Sequence, residues 1–247
     1  MTEATDTTDP AGDSMEAVRA RLLAAALPHA PFDGWSDATW RAAVADSGID
    51  EATARAATPR RGLDLAVAFH KAGDAEMTRL AAETDLGALR YSERVARLVR
   101  LRLEVAARER EAVRRGATLF SLPMNAPEGA RLIWGTADAI WTALGDTSQD
   151  YNWYSKRAIL SGVYSSTLLY WLGDQSEGFA NTWAFLDRRI EGVMRFEKTK
   201  AALKKNPLAQ LLMAGPKAAL ARVRAPGARG GPVAGLPVGL PGLSRRR

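Results

Sequence analysis

Apolar residues recur at intervals of three and four along most of the chain, the spacing of one face of an α-helix. The first such run lies between Val18 and Leu27. Asp13 or Ser14 can cap the helix that this run predicts, and Pro28 ends it. No segment shows the sustained alternation of apolar and polar residues typical of a strand. The pattern therefore predicts an all-α protein.

The next two helices have the spacing of a helix-turn-helix. Ser36 can cap a helix over residues 37–46, residues 47–49 form a turn, and Asp50 opens a short helix that ends at Pro59. Acidic residues outnumber basic ones here: Asp37, Asp46, Asp50 and Glu51 against Arg41 and Arg55. Since phosphate contacts dominate affinity for DNA, we interpret the unit as a vestigial helix-turn-helix without DNA binding.

Three more helices are predicted in the middle of the chain. They cover residues 62–70, residues 76–85 and an arginine-rich stretch over residues 92–115. Glutamates interleave with the arginines of the third at helix-pair distances, which favours a solvated face with salt bridges rather than a nucleic-acid site.

Aromatic residues concentrate in the three helices that follow. The first is stopped by Gly145; the second is capped by Asp150 or Asn152 and stopped by Gly173; the third is capped by Ser176. Rigid aromatic walls over small residues can enclose an elongated apolar cavity for a lipid, and the alternative is an ordinary packed core. The residues predicted to bind lipid are Trp134, Trp141, Leu160, Tyr164, Leu168, Trp171, Phe179, Trp183 and Leu186.

Composition weakens an enzymatic interpretation. The 247 residues include no cysteine, and the two histidines lie far apart without the spacing of a metal site. No glycine-rich nucleotide loop or nucleophile elbow is present. We therefore predict no catalytic residues, no metal and no cofactor other than a bound lipid or isoprenoid quinone.

Charge is strongly polarised toward the end of the chain. Residues 195–247 hold twelve basic residues and one acidic residue, a net +11, so residues 1–194 carry −5 of the total +6. Residues 206–224 combine leucines with basic residues, as a membrane-surface helix does, and Pro216 is expected to bend it. Packing of this helix on the protein body is the alternative. The residues predicted to bind the membrane are Leu208, Leu211, Leu212, Lys217, Leu220 and Arg222.

Three stretches carry a family resemblance: residues 59–65, residues 145–157 and residues 174–186. Together they resemble the lipid-binding accessory proteins of ubiquinone biosynthesis that form the ninth member of the Coq series. The resemblance implies a bundle like that of TetR-family regulators, with a vestigial helix-turn-helix and a C-terminal amphipathic helix. The expected organisation is a disordered acidic tail (1–13), a helix-turn-helix-like region (14–72), a lipid-binding bundle (73–200), the membrane helix (206–224) and a disordered basic Gly/Pro tail (225–247).

The resemblance also implies a function. Such a protein is non-catalytic, binds isoprenoid quinone or phospholipid in an apolar cavity, engages anionic membrane lipids, and presents demethoxyubiquinone to its di-iron hydroxylase. No nucleic acid is expected as a partner, and a homodimer is left open because TetR-like folds commonly pair through their last two long helices. The residues transferred as contacts to the hydroxylase are Ile140, Trp141, Asp150, Asn152, Trp153, Tyr154 and Arg157.

The sequence supports two further expectations, on an alternative function and on location. A ligand-responsive TetR-type transcription regulator is the alternative function, in which the same cavity holds an effector. The acidic N-terminus resembles neither a secretory signal nor a transit peptide, so we expect a bacterial cytoplasmic protein, peripheral on the inner face of the cytoplasmic membrane.

Overall fold

The computed structural model describes residues 14–149 and 151–205, and all regular structure within those ranges is helical. The predicted all-α class is therefore confirmed. The α-helices run in chain order as α1 (Met15–Ala26), α2 (Ala30–Asp33), α3 (Asp37–Ser47), α4 (Glu51–Ala57), α5 (Gly62–Glu83), α6 (Tyr91–Ala106), α7 (Arg110–Ser121), α8 (Ala126–Ala143), α9 (Tyr151–Gly173) and α10 (Ala180–Lys205).

The first helices begin where the sequence predicts. The side chains of Ser14, Ser36 and Asp50 each accept a hydrogen bond from the backbone N–H three residues later, at 3.2, 3.3 and 2.9 Å. Hydrogen bonding to Thr53 also holds the pKa of the Asp50 carboxyl below its usual value. Gly48 ends α3 with a φ of 66°, a conformation that glycine adopts without strain.

The predicted break between residues 70 and 76 is wrong, because α5 runs unbroken from Gly62 to Glu83. Gly73 lies inside it and does not interrupt the helix. A Cβ atom on Gly73 would lie 2.7 Å from the Arg102 guanidinium. The glycine therefore reflects close packing of an arginine against α5 rather than a turn.

The predicted single helix over residues 92–115 is also wrong. A 3-10 turn over Ala107–Glu109 separates α6 from α7, and Glu109 has a non-helical backbone with φ −131° and ψ 50°. The change of direction brings Arg110 to the end of α9, where it donates to the carbonyls of Trp171 and Asp174, both at 2.7 Å. Cations are favoured at helix C-termini, so this contact stabilises the break.

The turn between α9 and α10 is organised by a carboxylate rather than by Ser176 alone. Asp174 Oδ2 accepts from the backbone N–H of Thr182 at 2.9 Å and from its hydroxyl at 2.6 Å, while Ser176 Oγ accepts from Asn181 at 3.1 Å. These hydrogen bonds, led by that of Thr182, hold the pKa of Asp174 far below its usual value.

Two clusters of buried side chains form the core. The smaller cluster joins α1, α3, α4 and the start of α5 around Trp35 and Trp40. The larger one fills the bundle of α5, α6, α8, α9 and α10 around Leu103, Ile140 and Trp171. Helix α5 contributes to both clusters and so links the helix-turn-helix to the bundle.

Candidate functional site: an apolar cavity and an aromatic patch

A cavity of about 510 Å³ lies between α1, α5, α6, α7, α8 and α9. Most residues on its wall are apolar, among them Phe69, Val113, Phe120, Ile133 and Leu168. Its volume falls within the range of about 300–1,000 Å³ typical of small-molecule sites. The cavity can therefore take a compact apolar or amphiphilic molecule.

Polar side chains from α5, α6 and α9 meet on the buried part of this wall. His70, Arg102 and Tyr164 line the cavity, and Asp74 and Thr136 lie behind them. Arg102 Nε donates to Asp74 Oδ1 at 2.7 Å, and His70 Nε2 lies 2.8 Å from Thr136 Oγ1. Thr136 Oγ1 also donates to Asp74 Oδ1 at 2.9 Å. We call these five residues the inner polar cluster.

The inner polar cluster is electrically neutral near pH 7. Burial lowers the pKa of His70 to about 4, so its imidazole is uncharged, and burial raises the pKa of Tyr164, so its phenol keeps its proton. The remaining charges, on Arg102 and Asp74, form an ion pair and cancel. The buried surface therefore offers hydrogen bonds without a net charge.

A charged rim lies elsewhere on the cavity wall. Glu76, Arg108 and Glu109 line this part, and Arg108 Nη1 lies 3.4 Å from Glu76 Oε1. Leu169, on α9, also lines the cavity and is 65% exposed. The cavity is thus open to solvent as well as extending to the inner polar cluster.

The structure places two of the nine predicted lipid-binding residues, Tyr164 and Leu168, on the cavity wall. The aromatic stripe otherwise faces the packed core or other surfaces. Buried inside the bundle are Trp141, Leu160, Trp171 and Leu186. Phe179 and Trp183 pack under arginines of α6 and α7, with Arg110 5.1 Å from the Phe179 ring and Arg100 4.6 Å from the Trp183 ring.

The part of the wall that the sequence did not predict comes from α1, α5, α6, α7 and α8. Small residues such as Gly116 and Ala117 line the cavity on α7 and carry no distinctive signal. A better signal lay in α5, where His70 and Asp74 stand four residues apart, so both lie on one face of the helix. A polar pair on a face that also carries Ala66 indicates a buried polar site.

Trp134, the last of the nine predicted lipid-binding residues, also lies off the cavity wall and belongs to a patch between α8 and α9. Its ring centre lies 6.0 Å from that of Trp153 and 6.4 Å from that of Tyr154, and the last two rings meet edge to face at 4.8 Å. We call these three residues the aromatic patch. Trp153 and Tyr154 are half-buried, so part of each ring faces solvent.

Arg157 packs against the Trp153 ring and holds the aromatic patch in place. Its guanidinium lies 4.0 Å from the Trp153 ring centre. It also bonds Asp138 at 2.5 Å and Asp146 at 3.2 Å, and Lys156 supplies a second cation to Asp146 at 2.6 Å. Arg157 is only 3% exposed. It therefore supports the patch from inside rather than presenting its charge to a partner.

The residues predicted to contact the hydroxylase fall into exposed and buried groups. Trp153, Tyr154 and Asn152 lie at the start of α9 with surface exposed, whereas Ile140 and Trp141 are buried among core residues and cannot touch a partner in this conformation. Two sets of predicted residues lie outside the described ranges: Asp150, and the membrane-binding residues Leu208, Leu211, Leu212, Lys217, Leu220 and Arg222.

The described residues contain neither a membrane-spanning helix nor a cluster of metal ligands. None of the helices in residues 14–149 and 151–205 combines the length and hydropathy needed to cross a membrane. Over the same residues, no group of three or more histidine, aspartate or glutamate side chains is placed to hold a metal ion.

Comparison with known proteins gives the family. The COQ9 family model matches residues 126–197, which include the aromatic patch. The ubiquinone biosynthesis protein COQ9-B, mitochondrial, of Xenopus laevis is 35% identical over 200 residues, covering 76% of this chain and 68% of that protein. The chain belongs to the COQ9 family. Rat COQ9 is 31% identical over 199 residues, or 78% of this chain, and the chain spans 64% of the rat protein's length and 62% of the bovine one.

A solved structure supports the fold. A TetR transcriptional regulator from Nitrosomonas europaea ATCC 19718 superposes with a TM-score of 0.56 at 20% sequence identity, covering 70% of this chain and 95% of the regulator. The predicted TetR-like architecture is therefore confirmed. At this identity the likeness concerns the fold alone.

The predicted bacterial cytoplasmic location is contradicted. The COQ9 relatives from rat, cattle, frogs, human and fruit fly are all named as mitochondrial proteins of eukaryotes. The expectation depended on reading the first residues as lacking a transit peptide, which is a weak basis for assigning a compartment.

Proposed function

We propose that this COQ9-family chain is a non-catalytic accessory protein of ubiquinone biosynthesis. It binds an isoprenoid quinone or a phospholipid in the cavity and presents demethoxyubiquinone to its di-iron hydroxylase at a membrane. The observation that carries the proposal is the cavity itself, about 510 Å³ with a mainly apolar wall and a neutral polar region. This combination suits a molecule with a long apolar part and a small polar head.

The aromatic patch is the proposed docking site for the hydroxylase. Tryptophan, tyrosine and arginine are enriched among residues that dominate binding energy at interfaces. Trp153 and Tyr154 meet this description, and Tyr151, at the start of α9, is 41% exposed beside them in sequence. In the proposal Arg157 holds the rings in place, and Ile140 and Trp141 form the packed base underneath.

Membrane association is assigned to residues 206–224, outside the described ranges. Basic residues attract anionic headgroups with about 1 kcal/mol each near a membrane surface, and the leucines add apolar burial. The proposal thus separates three tasks along the chain: membrane contact, lipid binding and partner docking.

The regulator alternative loses support at the helix-turn-helix. Arg55, on α4, is paired with Glu51 of the same helix at 2.5 Å, and Arg61 is paired with Asp37. Cations already paired with carboxylates attract DNA phosphates weakly. No observation on this surface favours a DNA-binding function.

Native mass spectrometry of the gently purified protein, followed by lipid extraction, tests the proposal. We expect a near-stoichiometric lipid on the wild-type chain and a loss of most of it on Ala117→Phe, which fills the cavity wall on α7. Thr118→Phe adds the same ring to the neighbouring, exposed position and should keep the lipid. An empty wild-type protein, or equal lipid on both variants, would refute binding in this cavity.

A further inference from the structure

We propose that the inner polar cluster is a head-group site, which selects amphiphiles with an uncharged hydrogen-bonding head and binds them head-inward. This inference rests on the proposed function, since it specifies what the cavity binds and in which direction. It commits to Tyr164 and Arg102 as the residues that contact the head, with His70, Asp74 and Thr136 holding the polar groups in position.

The geometry gives the cluster both donors and rigidity. A guanidinium has five N–H groups. In Arg102, Nε donates to Asp74 Oδ1 at 2.7 Å and Nη2 donates to the His70 carbonyl at 3.0 Å, so the plane of the group is fixed. Because the same side chain lines the cavity, a carbonyl or hydroxyl oxygen of a ligand can approach its N–H groups.

Tyr164 supplies the second contact. Tyr164 is 1% exposed and lines the cavity. Thr136 Oγ1 lies between His70 Nε2 and both carboxylate oxygens of Asp74, at 2.8, 2.9 and 3.1 Å. Such a chain of hydrogen bonds restricts which way each hydroxyl can point, and this gives the site directional preference.

The charge balance argues for an uncharged head. Arg102 is the cation of the cluster, and Asp74 already neutralises it at 2.7 Å. A buried carboxylate or phosphate would add a negative charge beside Asp74 without a cation of its own, which is unfavourable in a buried environment. A quinone carbonyl or a phenol needs hydrogen bonds only.

The direction in which a ligand binds follows from which residues of the cavity wall are buried and which are exposed. Arg102 and Tyr164 are 4% and 1% exposed, whereas Leu169, on the same wall, is 65% exposed. A head placed on the buried polar residues leaves the apolar tail along Phe69, Phe120 and Ile133 toward solvent, where a longer chain can continue outside the cavity.

Three ligands that share a ten-carbon tail test the inference on the wild-type chain. Decylubiquinone has an uncharged carbonyl head, decylbenzene has no hydrogen-bonding head, and 4-decylbenzoate at pH 8 has an ionised one. We expect decylubiquinone to bind tightest, with dissociation constants at least about fivefold weaker for the other two, the size of one net hydrogen bond. The readout is displacement of a fluorescent lipid probe.

Two variants then show which residue causes the difference in affinity between the ligands. Tyr164→Phe removes one hydroxyl and keeps the ring, and should weaken decylubiquinone about fivefold to tenfold while decylbenzene changes less than twofold. Phe120→Leu alters the apolar wall and should weaken both ligands alike. Circular dichroism melting checks that each variant is folded before binding is measured.

The outcomes separate the two proposals. If all three ligands bind the wild-type chain equally, or if Tyr164→Phe affects decylubiquinone and decylbenzene alike, the head-group site is wrong while the lipid cavity stands. If none of the ligands displaces the probe from the wild-type chain, the cavity function itself fails and the head-group site fails with it.

Discussion

The aromatic patch gives the sharpest prediction, for Trp153→Ala. In the folded chain the Trp153 indole packs edge to face against the Tyr154 ring, with ring centres 4.8 Å apart. The Arg157 guanidinium lies 4.0 Å from the centre of the same indole. An aromatic pair contributes about 0.5–1.5 kcal/mol and a cation–π contact about 0.5–1 kcal/mol. The variant should therefore lose about 1–2.5 kcal/mol of unfolding free energy from these two contacts and remain folded, since domains have about 5–15 kcal/mol.

Trp153→Ala should also weaken binding of the proposed partner. A tryptophan hot spot contributes about 2 kcal/mol or more when truncated, which corresponds to a dissociation constant raised about thirtyfold. Calorimetric titration of the purified demethoxyubiquinone hydroxylase into wild-type and variant chains measures it, with melting temperature followed in parallel.

Tyr170→Ala is the matched control. Tyr170 is 40% exposed, stacks on Phe185 at 4.6 Å, and lies on the same helix about 25 Å from Trp153 at 1.5 Å per residue. It should lose comparable stability without changing hydroxylase affinity. A Trp153→Ala chain that binds within threefold of wild type, or a Tyr170→Ala chain that loses as much affinity, would refute the assignment of the patch.

Three further predictions concern other parts of the chain. Arg157→Met should lose about 3 kcal/mol in urea unfolding, because Asp146 is left buried with one cation instead of two; a loss below 1 kcal/mol would contradict this. Burial lowers the pKa of His70 to about 4, against 6.5 in the unfolded chain, so on acidification the unfolded state takes up a proton before the folded state does. The free energy of unfolding should therefore fall by about 2–3 kcal/mol as the pH drops from about 6.5 to 4. His70→Asn should flatten that slope in thermal melts across this pH range. Lys217→Ala combined with Arg222→Ala should weaken sedimentation with anionic vesicles by about 2 kcal/mol and leave binding to neutral vesicles unchanged; equal loss on both vesicle types would argue against headgroup attraction.

Local structure was largely predictable from the sequence because its signals are local. The caps at Ser14, Ser36 and Asp50 depend on residues within one helical turn, and the structure has them where the sequence predicts. The errors arose where a tertiary contact decides the outcome. Gly73 accommodates Arg102, and Arg110 reaches the end of α9; neither partner is visible from neighbouring sequence.

The cavity illustrates the same limit at the level of the site. Helical spacing puts Tyr164, Leu168 and Trp171 on one side of α9, but spacing does not say which neighbouring helix that side meets. Tyr164 and Leu168 face the cavity, while Trp171 is fully buried in the packed core. Most of the wall comes from helices whose cavity-lining residues are small or aliphatic and so carry no chemical signature.

The contacts of Arg157 have a consequence for the entropy of association at the proposed docking site. Its guanidinium is held by Asp138 and Asp146 and lies against the Trp153 ring, so the indole has lost rotational freedom before a partner arrives. Immobilising a mobile side chain on binding costs about 0.5–1.5 kcal/mol, and here that loss already occurs during folding. In the proposed complex, the hydroxylase would therefore meet rings fixed in one orientation, and loosening Arg157 would reduce affinity through entropy even if every direct contact were kept.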